Sequence, residues 1–141
     1  MGVELKQTPT GGVQMWDDNS GGQGAVMQVI GGIVNRAPTN TQALSGWVLP
    51  ANAQICDIVF ACSVVCNASS TANVSVGLSG GSNTYFTAAQ DVKSAIGTFR
   101  ATATANWTPS SSKQNLSVTY TETGTASSTG NVTFAVYYIV N

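Results

Sequence analysis

Between residues 55 and 66 the side chains alternate with a period of two: Cys56, Ile58, Phe60, Cys62, Val64 and Cys66 form one unbroken apolar set, and the intervening positions include Asp57 and Ser63. Successive side chains of an extended chain point to opposite faces, so this pattern predicts a long strand with one dry and one wet face. Turn-forming residues follow at 67–71, and alternation resumes with Ala72, Val74, Val76 and Leu78 against Asn73, Ser75 and Gly77. The two segments read as a hairpin.

The same period recurs downstream. Phe99, Ala101 and Ala103 alternate with Thr98, Arg100, Thr102 and Thr104, and Leu116, Val118 and Tyr120 oppose Ser117, Thr119 and Thr121, whose hydroxyls suit a solvated pleat. The last segment sets Val132, Phe134, Val136, Tyr138 and Val140 on one face and Thr133, Ala135, Tyr137 and Ile139 on the other. Its C-terminal half is apolar on both sides, which predicts a central strand or one that meets a partner, and marks Tyr137 and Ile139 as interface candidates. The one helical candidate is a single turn over residues 88–92 with Thr87 as its cap. Strands at ~10–15-residue spacing separated by Gly/Ser turns predict an all-β fold, an antiparallel β-sandwich of jelly-roll-like form over residues 49–141.

Residues 1–48 read as an extended, Gly-rich N-terminal arm. Glycine pairs at 11–12, 21–22 and 31–32 fall at tenfold spacing, which we take as coincidence in a Gly-rich stretch. From 25 to 34, Val26, Met27, Val29, Ile30, Ile33 and Val34 place apolar groups on both faces of any strand, so both faces need cover. These six residues are the first candidates for an intersubunit contact, and Met15 with Trp16 is a candidate anchor in the more polar part of the arm.

Composition narrows the function. Charged residues make up 8% of the chain, against about a quarter in ordinary globular proteins, so the surface must rely on hydroxyls and amides. The basic residues Lys6, Arg36, Lys93, Arg100 and Lys113 are scattered and the net charge is -1, which offers no electrostatic footprint for nucleic acid. So little like-charge repulsion suits a protein that lives inside an assembly. The N-terminus lacks the basic and apolar regions of a signal peptide, and no stretch reaches the ~20 apolar residues of a membrane span. Synthesis in a cytosol, with no membrane partner, is the expectation. Five glycosylation-type sequons, starting at Asn67, Asn73, Asn106, Asn115 and Asn131, follow from composition alone.

Enzymatic chemistry finds little support. The chain has no histidine, which removes histidine acid–base catalysis, Ser/His and Cys/His nucleophiles and the commonest metal ligand. Asp17-Asp18 could touch a cation, but a solvated turn is the preferred reading. Asp57, Asp91 and Glu122 are isolated carboxylates without a glycosidase motif. Cys56, Cys62 and Cys66 on one regular strand face would stand ~13–20 Å apart in succession, too far for a disulfide or a shared metal. They read as small buried hydrophobes. Neither an enzyme nor a cofactor is expected. Trp47 and Trp107 suit core packing or contact with a ligand equally.

The run Leu49-Pro-Ala-Asn-Ala-Gln-Ile-Cys-Asp-Ile58, the stretch Asn67-Ala-Ser-Ser-Thr-Ala-Asn-Val-Ser-Val-Gly77, residues 85–89, Gly97-Thr-Phe-Arg-Ala101 and the closing segments 118–126 and 130–139 resemble a pattern of small tailed-bacteriophage virion proteins. The resemblance covers about 90 residues, rests on strand and turn patterning, and leaves the arm unmatched. It implies a capsid decoration or cement protein: a β-sandwich, homotrimeric, bound to major capsid protein on the outer surface of the virion. The alternative is a tail-fibre or receptor-binding module that presents Tyr85, Phe86 or Trp107 to host glycan.

Overall fold

The computed structural model describes residues 26–34 and 41–140. Within them lie eight strands: β1 (Gln28–Val34), β2 (Thr41–Leu49), β3 (Ala53–Val64), β4 (Thr71–Leu78), β5 (Gln90–Asp91), β6 (Gly97–Arg100), β7 (Gln114–Thr123) and β8 (Asn131–Val140). They form two four-stranded sheets, ordered β1-β8-β3-β6 and β2-β7-β4-β5. The antiparallel pairing is nested, β1 with β8, β2 with β7, β3 with β6 and β4 with β5. A long two-stranded ribbon rolled up on itself produces this order, and the β3–β8 and β4–β7 ladders close the roll. The sandwich expected from the sequence is therefore a jelly roll in its strand order.

The roll corrects the division of the chain. The expected boundary between residues 48 and 49 falls inside β2, and both β1 and β2 are strands of the sandwich rather than parts of a separate arm. The physical reason is that β8 and β7 each need a second neighbour for their backbone groups, and β1 and β2 supply it. Met15, Trp16 and Asp17-Asp18 lie outside the described residues.

The inward faces of both sheets meet in one core. Ile58, Phe60, Val74, Val76, Leu116, Val118 and Val136 are fully buried, each contributing about 1.5–3 kcal/mol relative to exposure. Trp47 reaches in from the edge strand β2 and packs edge-to-face on Phe134, ring centroids 4.8 Å apart. A register shift at Gly46, with φ of +115°, lets β2 turn that ring inward. At Gly77 a β-carbon would lie 2.1 Å from the Ser82 carbonyl oxygen, so only glycine lets the 79–83 turn lie against β4.

Four local expectations change. Bulges between Ile55 and Asp57 and between Cys62 and Val64 break the regular alternation of β3, so Cys56 and Val64 are exposed while Ile55, Ile58, Phe60 and Cys62 face inward. Residues 88–92 form no helical turn: Thr87 is tied to β4, its hydroxyl accepting from the Val76 amide at 3.0 Å, and Gln90–Asp91 is a short edge strand. A five-residue helix cannot offset its nucleation cost against such a ladder. The strand from Gly97 stops at Arg100, and the chain turns at Ala105–Trp107, where the Thr104 side chain accepts from the Asn106 amide. Ser117 and Thr119, expected on a solvated pleat, are buried.

A polar cluster closes the end of the roll where β7 turns into β8. The Tyr120 hydroxyl donates to Glu122 Oε2 at 2.6 Å and lies 3.1 Å from Ser127 Oγ, and the Ser127 amide donates to the Glu122 carboxylate at 3.1 and 3.2 Å. Burial, followed by the adjacent Glu122 carboxylate, pushes the Tyr120 hydroxyl above its ordinary range, which keeps it a donor. Glu122 thus holds the 123–130 turn to the core. Glu122→Ala removes the carboxylate that accepts from the buried Tyr120 hydroxyl and Ser127 amide and is expected to cost about 2–4 kcal/mol. The midpoint of urea unfolding reads this directly; an unchanged midpoint would show that the turn is held by its backbone alone.

Candidate interaction surface

The parity of β1 sorts the candidate residues into two groups. Gln28, Ile30, Gly32 and Val34 face the core: Gln28 Oε1 accepts from the Tyr138 hydroxyl at 3.0 Å, Trp47 lies over Gly32, and Val34 is 3% exposed. Val29 and Ile33 point the other way and are 59% and 62% exposed, with Met27 exposed just before the strand and Val26 less so. Ile30 and Val34, expected at an interface, belong instead to the interior, because a strand at the edge of a sandwich must give one of its two apolar faces to the core.

The register carries the outward residues of β1 onto those of β8. Val29 lies opposite Tyr137, Gly31 opposite Ala135 and Ile33 opposite Thr133. On the far side of β8, Ile139 pairs with Gln54, Tyr137 with Asp57, Ala135 with Val59 and Thr133 with Ala61. Four of the sequence candidates, Val29, Ile33, Tyr137 and Ile139, thus come together on the outer side of one sheet, and Met27 is exposed just before β1. Val59 and Ala61 extend it and were missed; their signal was two apolar residues on the supposedly wet side of β3. Tyr137 and Ile139 sit on a central strand, half-buried by their neighbours.

Electrostatics on this face are nearly neutral. Its charged pair is Asp57 with Arg100, N to O 3.2 Å, across β3 and β6; both groups keep access to water, and such pairs contribute little to stability. The rest of the face offers methyl groups, the Tyr137 ring and the uncharged polar groups of Gln54, Thr98 and Thr133. That suits contact with another surface of protein.

The other candidates are occupied elsewhere. Trp107 is buried and donates from Nε1 to the Phe86 carbonyl at 2.8 Å, Phe86 is itself fully buried, and Tyr85 stacks edge-on against it. Two of the three aromatics offered for a glycan-binding tip, Phe86 and Trp107, are therefore core residues. Asp91 binds its own turn, accepting from the Lys93 and Ser94 amides and the Ser94 hydroxyl, and these bonds, the hydroxyl first, hold its carboxyl below the ordinary range. Asp57 is in the ion pair and Glu122 in the buried turn cluster. Burial, then the neighbouring Cys66 thiol, raises Cys62 above the usual thiol range, away from nucleophilic use. Among the described residues, no three His, Cys, Asp or Glu side chains gather as a metal site.

The architecture places the chain among eight-stranded jelly rolls. No protein-family model matches it, and no curated protein matches it in sequence. Among solved structures it is similar to a chain of the cyanophage Pam1 capsid asymmetric unit, with a TM-score of 0.65 and 22% identity over 84% of this chain and 87% of that one. It is similar also to a chain of the capsid of Ralstonia phage GP4, with a TM-score of 0.58 and 18% identity over 82% of this chain and 85% of that one. Each covered share is larger than residues 49–141 alone make up, in keeping with N-terminal strands that belong to the fold.

The two sides of β1 should respond differently to charge. Ile33→Asp is expected to leave the melting temperature within a few degrees of the parent. Val34→Asp buries a carboxylate with no designed partner and should cost more than about 3 kcal/mol. Thermal melts of the two variants side by side check this, and equal effects would contradict the assigned parity.

Proposed function

We propose that this protein is a structural component of a bacteriophage virion, a decoration or cement protein bound to the outer surface of the capsid. The observation that carries the reading is the low-charge apolar face of the β1-β8-β3-β6 sheet, on a jelly roll whose structural neighbours are chains of phage capsids. The partner in this reading is the major capsid protein, with further copies of the chain itself, as the homotrimer implied by the family resemblance. The scarcity of charge suits a dense protein array and speaks against a nucleic-acid partner.

The mechanism is linkage rather than chemistry. A protein that binds only the assembled shell stabilises that state by mass action, and repetition over many equivalent sites multiplies the effect. Burying the outward residues of β1 and β8 provides the driving force, and the near-neutral face brings no large charge-desolvation cost. No bond is made or broken, so the shape and polarity of the face carry the specificity.

The test is reconstitution on purified phage heads that lack this chain. The parent should saturate the heads and raise the temperature at which they rupture. Tyr137→Ser combined with Ile139→Ser should retain the fold by circular dichroism and lose on the order of tenfold or more in occupancy. Full occupancy by this variant would remove the face from the contact, and absence of binding by the parent would overturn the capsid reading.

A further inference from the structure

The two edges of β1 are unlike. One carries the seven-residue ladder to β8, and among the described residues no strand pairs with the other. Proteins that stay monomeric usually guard such an edge with lysine, proline or a bulge. Gln28–Val34 has no charge and no proline, and its ladder to β8 runs without a register shift. An edge of this kind accepts an extended backbone, since only another strand satisfies its row of N–H and C=O groups while covering its side chains.

The strand's own sequence names the occupant. Val29 and Ile33 stand symmetrically about Gly31 and are both exposed on the outer face, so an antiparallel copy centred there sets a β-branched side chain against a β-branched one on each side of a glycine. We infer that the free edge of β1 pairs with β1 of a second copy of this chain, antiparallel, about a two-fold axis perpendicular to the sheet.

Geometry selects the register. Such an axis keeps the outer faces of both copies on one side, and directly opposed residues of an antiparallel pair share a face. The axis must therefore pass through a residue rather than between Gly31 and Gly32. Centred on Gly31, it opposes Val29 to Ile33 of the second copy and Gly31 to its own counterpart, so β-branched side chains meet on the outer face and the crossing point carries no side chain. Centred on Gly32, it opposes Ile33 to Gly31 on the outer face and leaves β-branched pairing to Ile30 and Val34, side chains already packed against the core of their own copy. The first register joins two four-stranded sheets into one of eight strands, and the exposed Val29 and Ile33 of both copies run on into Tyr137 and Ile139.

This pairing does not depend on the capsid reading, because it is a property of the purified chain. It is isologous, so it yields even numbers of chains: two, or six where a three-fold contact elsewhere on the sandwich also forms. Sedimentation velocity and light scattering of the full chain should give such a mass. Val29→Lys with Ile33→Lys opposes like charges twice and should halve it. Val29→Lys with Ile33→Glu opposes Lys to Glu in both pairs and should restore the parent mass, with melts confirming that both variants fold. A parent mass of one or three chains overturns the inference and leaves the edge to a strand of another protein. Equal masses for the two variants overturn it as well.

Discussion

Nested antiparallel pairing is the constraint on which the rest of the structure depends. Because β1 pairs with β8 and β2 with β7, the segments nearest the two ends of the described chain lie side by side, and the long-range ladders form only when both are present. The central ladders of β3 with β8 and β4 with β7 then bring together residues about 70 and 45 positions apart, as in Phe60 with Phe134 and Val74 with Tyr120. The core is a product of that closure. Leu116 and Val136 are fully buried because the sheets are complete, and no single hairpin could bury them.

Closure also decides which surface is left for function. A strand with apolar groups on both sides has one of them taken by the core, and the other is turned out wherever nothing covers the sheet. On β1 this separates Val34 from Ile33, neighbours in sequence with opposite fates. The outward face then depends on apolar area rather than charge, with Asp57 and Arg100 compensating each other at its β3–β6 side. A surface of that type gains by association, and it gains little from ionic steering.

The polar residues that a search for chemistry would single out are instead structural ties. Glu122 is an acceptor for Tyr120 and Ser127, Asp91 shapes the turn after β5, and Trp107 hangs from the Phe86 carbonyl. Each satisfies backbone or hydroxyl groups, as acceptor or, for Trp107, as donor, that the rolled topology leaves at the ends of strands. The carboxylates of Glu122 and Asp91 and the indole of Trp107 are thereby committed to holding turns and strand ends.

Period-two alternation in β3, β4, β7 and β8, with Gly/Ser turns between them, was enough to establish an all-β sandwich, and low charge was enough to direct attention to assembly. Those signals are local, since side-chain parity within a strand needs no knowledge of its neighbours. The membership of β1 and β2 was hidden, because their partners are about 100 and 75 residues away and Gly-rich segments carry weak propensity of their own. Bulges at Cys56 and beyond Cys62 were hidden for the same reason: they adjust β3 to β8, and nothing within β3 announces them. The sequence by itself determined that apolar residues near both ends of the chain would need cover. Only the tertiary structure decided that Ile30 and Val34 find it inside, while Val29 and Ile33 share a face with Tyr137 and Ile139, since register between distant strands is set by the closed roll and by no stretch of chain alone.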